Sequence, residues 1–257
     1  MKSTADVVMI GGGVIGASIL FNLGRLGVTD TLLLEKDVLG SGSTGRSQAI
    51  CRMHYSNPVT ATMAWESLGI FTNFDEAVGG ESGFVETGYL VVVSQEDGAG
   101  LAHNVTMQYG LGIDTMRVTV KDLEEIAPMV SVTEGEFMAW EPQSGYADTY
   151  MVTTSYAKRA REMGAEIVLR NPATAIEISG GRVKAVVTAE GRVETLWPWS
   201  PQAHGLRKCW ARSAWTSQWS RCAIRLPPSH VRWTSCLCIP RLETSPSLSR
   251  SGPTAAH

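Results

Sequence analysis

Gly11, Gly13 and Gly16 form G-x-G-x-x-G directly after the apolar run Asp6 to Ile10, and Glu35 stands 24 positions beyond the first of them. Those residue types at that spacing suit one chemistry, the holding of a nucleotide diphosphate. Gly11 permits a tight turn, Gly13 removes a side chain that would block a pyrophosphate, and Gly16 lets helix and strand approach closely. The first helical N–H groups, from Val14 and Ile15 onward, then face the phosphates along with the positive end of the helix dipole. Glu35, with Lys36 beside it, ends a second apolar strand, where a carboxylate can accept hydrogen bonds from the hydroxyls of an adenosine ribose.

A second flexible stretch follows at once, "GSGSTGRS" from Gly40. Ser43, Thr44, Gly45, Arg46 and Ser47 offer N–H, O–H and guanidinium groups to a second anionic region, and Thr44 or Ser47 can cap a following helix. An extended FAD needs such a loop more than a nicotinamide dinucleotide does. Beyond it lie Cys51, Arg52, His54 and Tyr55. Arg52 offers a planar two-pronged donor for a carboxylate, or else serves as a surface or domain-bridging arginine. His54 and Tyr55 read either as groups lining a cofactor or as aromatics that hold the loop. Cys51 reads as a small buried hydrophobe, and Met53, Met63 and Trp65 as core.

The elements that must position these groups are legible from local pattern. Ile15, Ile19, Leu20, Leu23 and Leu26 make the stripe of a helix packed on a sheet, closed by Gly27. Thr31 to Leu34 is the second strand. Glu86 to Ser94 alternates weakly, Asp122 to Ile126 suggests a short helix ending before Pro128, and a periodic helix runs from Thr149 to Met163 with Gly164 after it. Ile167 to Leu169 and Val183 to Thr188 read as strands. The result is an α/β chain in four parts: 1–75, an insert at 76–149, a return at 150–196, and 197–257.

The last part differs in kind. Residues 197–257 hold six of eight tryptophans, four of five cysteines and only one acid, Glu243, and show neither a helical nor an alternating period. Tryptophan has one codon, so the bases beneath Trp197 and Trp199 are fixed. Read two bases later, permitted codons from there give an apolar strand turning through glycine into a helix. The expectation is a change of reading frame near Leu196.

Bulk properties exclude some classes. A net charge of −3 gives no support to a nucleic-acid partner, and no apolar run of eighteen residues suggests a membrane span. Lys2 before an apolar stretch resembles a secretory leader, but Asp6 and six glycine or asparagine positions interrupt it by Gly24. Cysteine spacing fits no thiol framework and no zinc site, so no metal is expected and a reducing, cytoplasmic setting is the default. Oligomeric state is not legible.

"DVVMIGGGVIGASILFNLGRLG", the acid at Glu35 and "GSGSTGRSQAICRMHYSNP" resemble the D-amino-acid oxidase family of FAD-dependent oxidoreductases, within it most nearly the sarcosine, dimethylglycine and glycine oxidase types. "GFVETGYLVVV" and the stretch from Ser144 to Gly191 agree, so the resemblance covers about residues 5–195. It implies a Rossmann-like FAD-binding domain with an inserted α+β substrate domain, incomplete at the C-terminus. It further implies Ala173 as a backbone contact to the adenine and Arg52 as the anchor of the substrate carboxylate. His54 and Tyr55 would stand beside the flavin, and a small amine or amino acid would be the substrate. In that family other substrate and flavin contacts come from the C-terminal third, so poor FAD binding and no turnover are expected here. Two alternatives remain: an NAD(P)-dependent dehydrogenase and an inactive nucleotide-binding fragment.

Overall fold

The structure, a computed structural model, describes residues 1–180 and 182–195, together with the backbone of 197–199 and 236–237. β1 (Val7–Ile10), α1 (Val14–Arg25) and β2 (Thr31–Leu34) open the chain, and a single 3-10 turn at Thr44–Arg46 precedes β3 (Ile50–Cys51). Then come α2 (Pro58–Thr72), α3 (Phe74–Val78), β4 (Val85–Glu86), β5 (Tyr89–Val93) and α4 (Gly98–Gly110). β6 (Met116–Val118), α5 (Val120–Ile126), β7 (Phe137–Glu141), β8 (Gly145–Tyr146) and α6 (Thr149–Glu162) follow. β9 (Glu166–Val168), β10 (Ala173–Ser179), β11 (Arg182–Thr188) and β12 (Gly191–Glu194) lead to β13 (Trp197–Trp199) and β14 (Cys236–Leu237).

A four-stranded parallel sheet, ordered β13-β1-β2-β9, carries the glycine motif at the end of β1. β1 and β2 read as nearly unbroken apolar runs because both their faces are buried. Met9 and Leu33 point to one face and meet Ala17, Leu20 and Phe21 of α1 and Val152, Tyr156 and Ala157 of α6. Val8, Ile10, Leu32 and Leu34 point to the other, against Ile176, Val186 and Val193 of the antiparallel sheet β10-β11-β12. Three layers result: helices, parallel sheet, antiparallel sheet. Burial also pushes the Tyr156 phenol above its ordinary pKa, against a hydrogen bond with Ser18 that acts the other way.

Both long helices of this unit close by the same local chemistry. After α1 the N–H groups of Gly27 and Val28 donate to the carbonyls of Gly24 and Leu23, and after α6 those of Gly164 and Ala165 donate to Arg161 and Ala160. Gly27 and Gly164 have φ of +85° and +106°, the left-handed position of a Schellman cap. Asp148 caps the start of α6 on the amides of Tyr150 and Met151.

Between β2 and α6 the chain builds a second region. β5, β7 and β6 form an antiparallel sheet whose two faces pack separately, Leu90, Val118 and Trp140 against α5, and Val91 and Ala139 against Leu101 of α4. A small sheet β3-β8-β4 joins this region to the parallel-sheet unit.

Four expectations change. The stripe read on α1 is rotated: Ile15 and Leu26 are 62% and 81% exposed, and Gly16, Ala17, Leu20 and Phe21 are the buried residues. No α-helix follows Thr44 or Ser47 directly; the next begins at Pro58, capped by Asn57. Met63 is not core but 65% exposed, because α2 is apolar on all sides and buries Ala61 and Leu68 instead. The stretch 197–199, read as aperiodic, pairs its backbone in parallel with Val7 to Met9, since an open strand edge recruits main-chain groups whatever the side chains. Cys236 and Leu237 pair with Val91 and Leu90. The rest of 197–257 lies outside the described residues.

Candidate functional site

The turn after β1 is shaped by what its glycines leave out. Gly11 has φ +112° and donates its N–H to the carbonyl of Leu34, which ties the end of β1 to β2. A Cβ on Gly16 would lie 2.0 Å from the carbonyl oxygen of Gly11, and one on Gly13 would lie 3.0 Å from Thr44 Oγ1. Gly16 therefore lets α1 stand against the end of β1, while Gly13 makes room for the second loop.

Protein groups occupy some amides of the turn. Gly12 donates to Glu35 Oε2 at 2.6 Å, and Val14 donates to Thr44 Oγ1 at 3.0 Å. The N–H groups of Gly13, Ile15 and Gly16 have no acceptor among the described residues, as expected of a helix N-terminus waiting for an anion. Glu35 is buried, and its Oε1 accepts from the Asp37 amide at 2.9 Å. Ser41 Oγ donates to the same oxygen at 3.5 Å; the carboxylate's lone pairs exceed these three bonds, so ribose hydroxyls can share it. Lys36 is exposed beside it, and Ala173 sits half-buried at the first position of β10. The donor set fits a dinucleotide with its diphosphate over α1.

A cavity of about 340 Å³ lies between the start of α1 and the segments that follow the second loop. Val14, Thr44 and Ser47 line it beside the glycine turn, and Cys51, Arg52 and Tyr55 line it as well. Leu68 and Phe71 of α2 and Thr149 and Val152 of α6 complete its walls. The start of α1, the second glycine-rich loop and the Arg52 segment thus border one space. Ser43, Gly45 and Arg46 are partly or fully exposed on the 3-10 turn, outside its lining, and Ser47 Oγ accepts from the Ala49 amide. Cys51 is half-buried in the lining.

Arg52 is half-buried and clamped in place. Its Nη1 donates to the His54 carbonyl at 2.6 Å, and its guanidinium lies 4.9 Å from the Tyr55 ring centre and 5.4 Å from that of Tyr89. His54 does not line the cavity. Its ring is 2% exposed, with Nδ1 3.3 Å from Oε1 of Glu141. Sequence reasoning passed over Glu141, Gln108 and Ser144, which gather beneath this segment. The available signal was one acid closing the buried run Phe137 to Trp140. Among the described residues no group of side chains could hold a metal ion, and no helix is long and apolar enough to cross a membrane.

Comparison with known proteins gives the context. A family profile described as "FAD dependent oxidoreductase" (DAO) matches residues 6–207. The mitochondrial pyruvate dehydrogenase phosphatase regulatory subunit of Mus musculus is 25% identical over 195 residues, covering 76% of this chain and 22% of that protein. The mitochondrial sarcosine dehydrogenase of Mus musculus is 25% identical over 202 residues, with the same two coverages. The crystal structure of L-proline dehydrogenase from P. horikoshii superimposes with a TM-score of 0.75 at 25% identity, covering 82% of this chain and 56% of that one. The chain spans about a fifth of the length of these two relatives.

Proposed function

Because the chain belongs to the DAO family of FAD dependent oxidoreductases, we propose that its cavity holds FAD and a small amine or amino acid of the sarcosine, dimethylglycine or glycine type, whose C–N bond is oxidised. The observation that carries this reading is a cavity lined both by Val14 at the start of α1 and by the clamped Arg52, beside a turn whose Gly13, Ile15 and Gly16 N–H groups have no acceptor among the described residues. Gly13, Ile15 and Gly16 would donate to the diphosphate, Glu35 would accept from the ribose, and Thr44 and Ser47 would border the path toward the ring. When bound, FAD supplies the acceptor for the two electrons and the hydrogen on the carbon beside the nitrogen. Arg52 would bind the substrate's carboxylate, which fixes that carbon in place. Apolar walls from Leu68, Phe71 and Val152 exclude water. Family membership leaves the nicotinamide alternative without support.

The division into 1–75, 76–149 and 150–196, with a change of reading frame near Leu196 and impaired turnover, belongs to the same proposal. Its support is the abrupt composition of 197–257, and sequencing the gene across codons 190–200 tests it. The compartment is open to the cytoplasm or the mitochondrion, since both mouse relatives carry "mitochondrial" in their names.

A second reading draws on the regulatory subunit among the relatives: a flavin-binding module without turnover. Both are tested by titrating FAD into the purified chain, then adding sarcosine, dimethylglycine, glycine and proline anaerobically. Flavin binding with amine-dependent loss of the band near about 450 nm supports the oxidoreductase. Weak binding with slow bleaching fits the impaired oxidoreductase, binding without bleaching supports the module, and no binding even at saturating FAD refutes both.

A further inference from the structure

Resting on the reading of Arg52 as carboxylate anchor, we propose that Glu141 is the positioning residue that sets the guanidinium of Arg52. Glu141 closes β7 with no solvent exposure and lies directly across from Tyr89 in the sheet. Burying a carboxylate is costly unless donors converge on it, and here they do. Oε2 accepts from the Met53 amide at 3.0 Å and from Ser144 Oγ at 2.9 Å, while Oε1 lies 3.3 Å from His54 Nδ1. Neither His54 Nδ1 nor Glu141 Oε1 makes a hydrogen bond among the described residues; the two buried atoms face each other.

All of this tension falls on one short segment. Gln108, fully buried on α4, reinforces it by donating Nε2 to the carbonyls of Met53 and Tyr55 at 3.3 and 3.4 Å. With Met53 and His54 gripped through backbone and ring, the His54 carbonyl is aimed at Arg52 Nη1 and the Tyr55 ring lies beside the guanidinium. Tyr89, the cross-strand neighbour of Glu141, supplies the other ring. Glu141 thus acts on the segment that supplies the His54 carbonyl and the Tyr55 ring to Arg52, without entering the cavity. The role needs an acceptor, because the Met53 amide and the Ser144 hydroxyl both donate to Oε2. An amide at this position turns an N–H toward one of those donors.

The test measures acetate binding, with acetamide as the neutral counterpart, to the full chain by ligand-observed NMR. Glu141→Gln is expected to weaken acetate about tenfold while acetamide and FAD binding hold. Arg52→Ala is expected to abolish the preference for acetate over acetamide. In the Arg52→Ala background Glu141→Gln then changes nothing further, a pattern that loss of general stability does not produce. Wild-type acetate binding in Glu141→Gln, with loss in Arg52→Ala, overturns the positioning role and leaves Arg52 standing as the anchor. No acetate binding in the parent chain, or none lost in Arg52→Ala, overturns the anchor and the proposal with it. Should Glu141→Gln fail to fold, Ser144→Ala removes one donor and keeps the acid: severalfold weaker acetate supports the role, and unchanged binding overturns it.

Discussion

Alanine at Gly16 places a methyl carbon 2.0 Å from the carbonyl oxygen of Gly11 and 3.2 Å from its carbon. To restore ordinary contact, α1 must retreat from the end of β1 by more than about 1 Å, against a core that resists rearrangement. Ala17, Leu20 and Phe21 of the same helix are buried against the parallel sheet, so the retreat opens a gap there. Overpacking of this kind costs about 1–3 kcal/mol, and an obstacle made of backbone stands at the upper end. Alanine recovers about 1 kcal/mol of helix propensity. A net loss of about 1–2 kcal/mol follows, which lowers Tm by about 2–8 °C for a chain of this size. Gly69→Ala is the control: Gly69 lies in α2, and a Cβ there meets nothing within 4 Å. That variant gains about 1 kcal/mol. Urea unfolding of both variants, with ADP titration by calorimetry, reads the contrast. The shifted turn carries the open N–H groups, so Gly16→Ala is expected to lose ADP affinity as well. Equal stability of Gly16→Ala and the parent chain, or a destabilised Gly69→Ala, refutes the reasoning.

Ala49 holds φ at +51° while its carbonyl accepts from the Ala147 amide; Ala49→Gly relieves about 1–2 kcal/mol of left-handed strain and returns about 0.4–1 to unfolded-chain freedom, so the urea midpoint is expected to rise. Leu20→Ala empties a fully buried position between α1 and the sheet and is expected to cost about 3–5 kcal/mol in the same assay. At the start of α5 the amide and hydroxyl of Thr119 hold the Asp122 carboxyl below its ordinary pKa, completing a capping box. The folded pKa is the depressed one, so this contribution is present above about pH 4 and is lost as pH falls through the folded value. Protection of the Asp122 and Leu123 amides, corrected for the intrinsic exchange rate at each pH, is expected to fall below that pH, and Thr119→Ala to lower stability by about 1 kcal/mol at neutral pH.

Local pattern sufficed for much of the nucleotide-facing unit. β2 runs over Thr31–Leu34 as its apolar run indicates, and Gly27 and Gly164 close α1 and α6 because a left-handed cap is a local demand. The Glu35 carboxylate stands at the end of β2 for the same reason, since one crossover fixes both strand ends. The sequence alone also marks the change of character at residue 196, which is compositional and needs no contact to be seen.

Tertiary structure decided what depends on partners far along the chain. An all-round apolar α2 carries no signal of its buried side; Ala61 and Leu68 turn inward only because Met53 and Ile113 meet them there. The direction of His54 is set by Glu141, 87 positions later, and the grip on Met53 spans 88 positions. The cavity joins residues 14, 44, 52, 68 and 152 only once α2 and α6 pack beside the turn. Hydrophobic period and capping act over a few residues and survive in the sequence, whereas a buried carboxylate chooses its donors only after the sheets bring them within 3 Å or so.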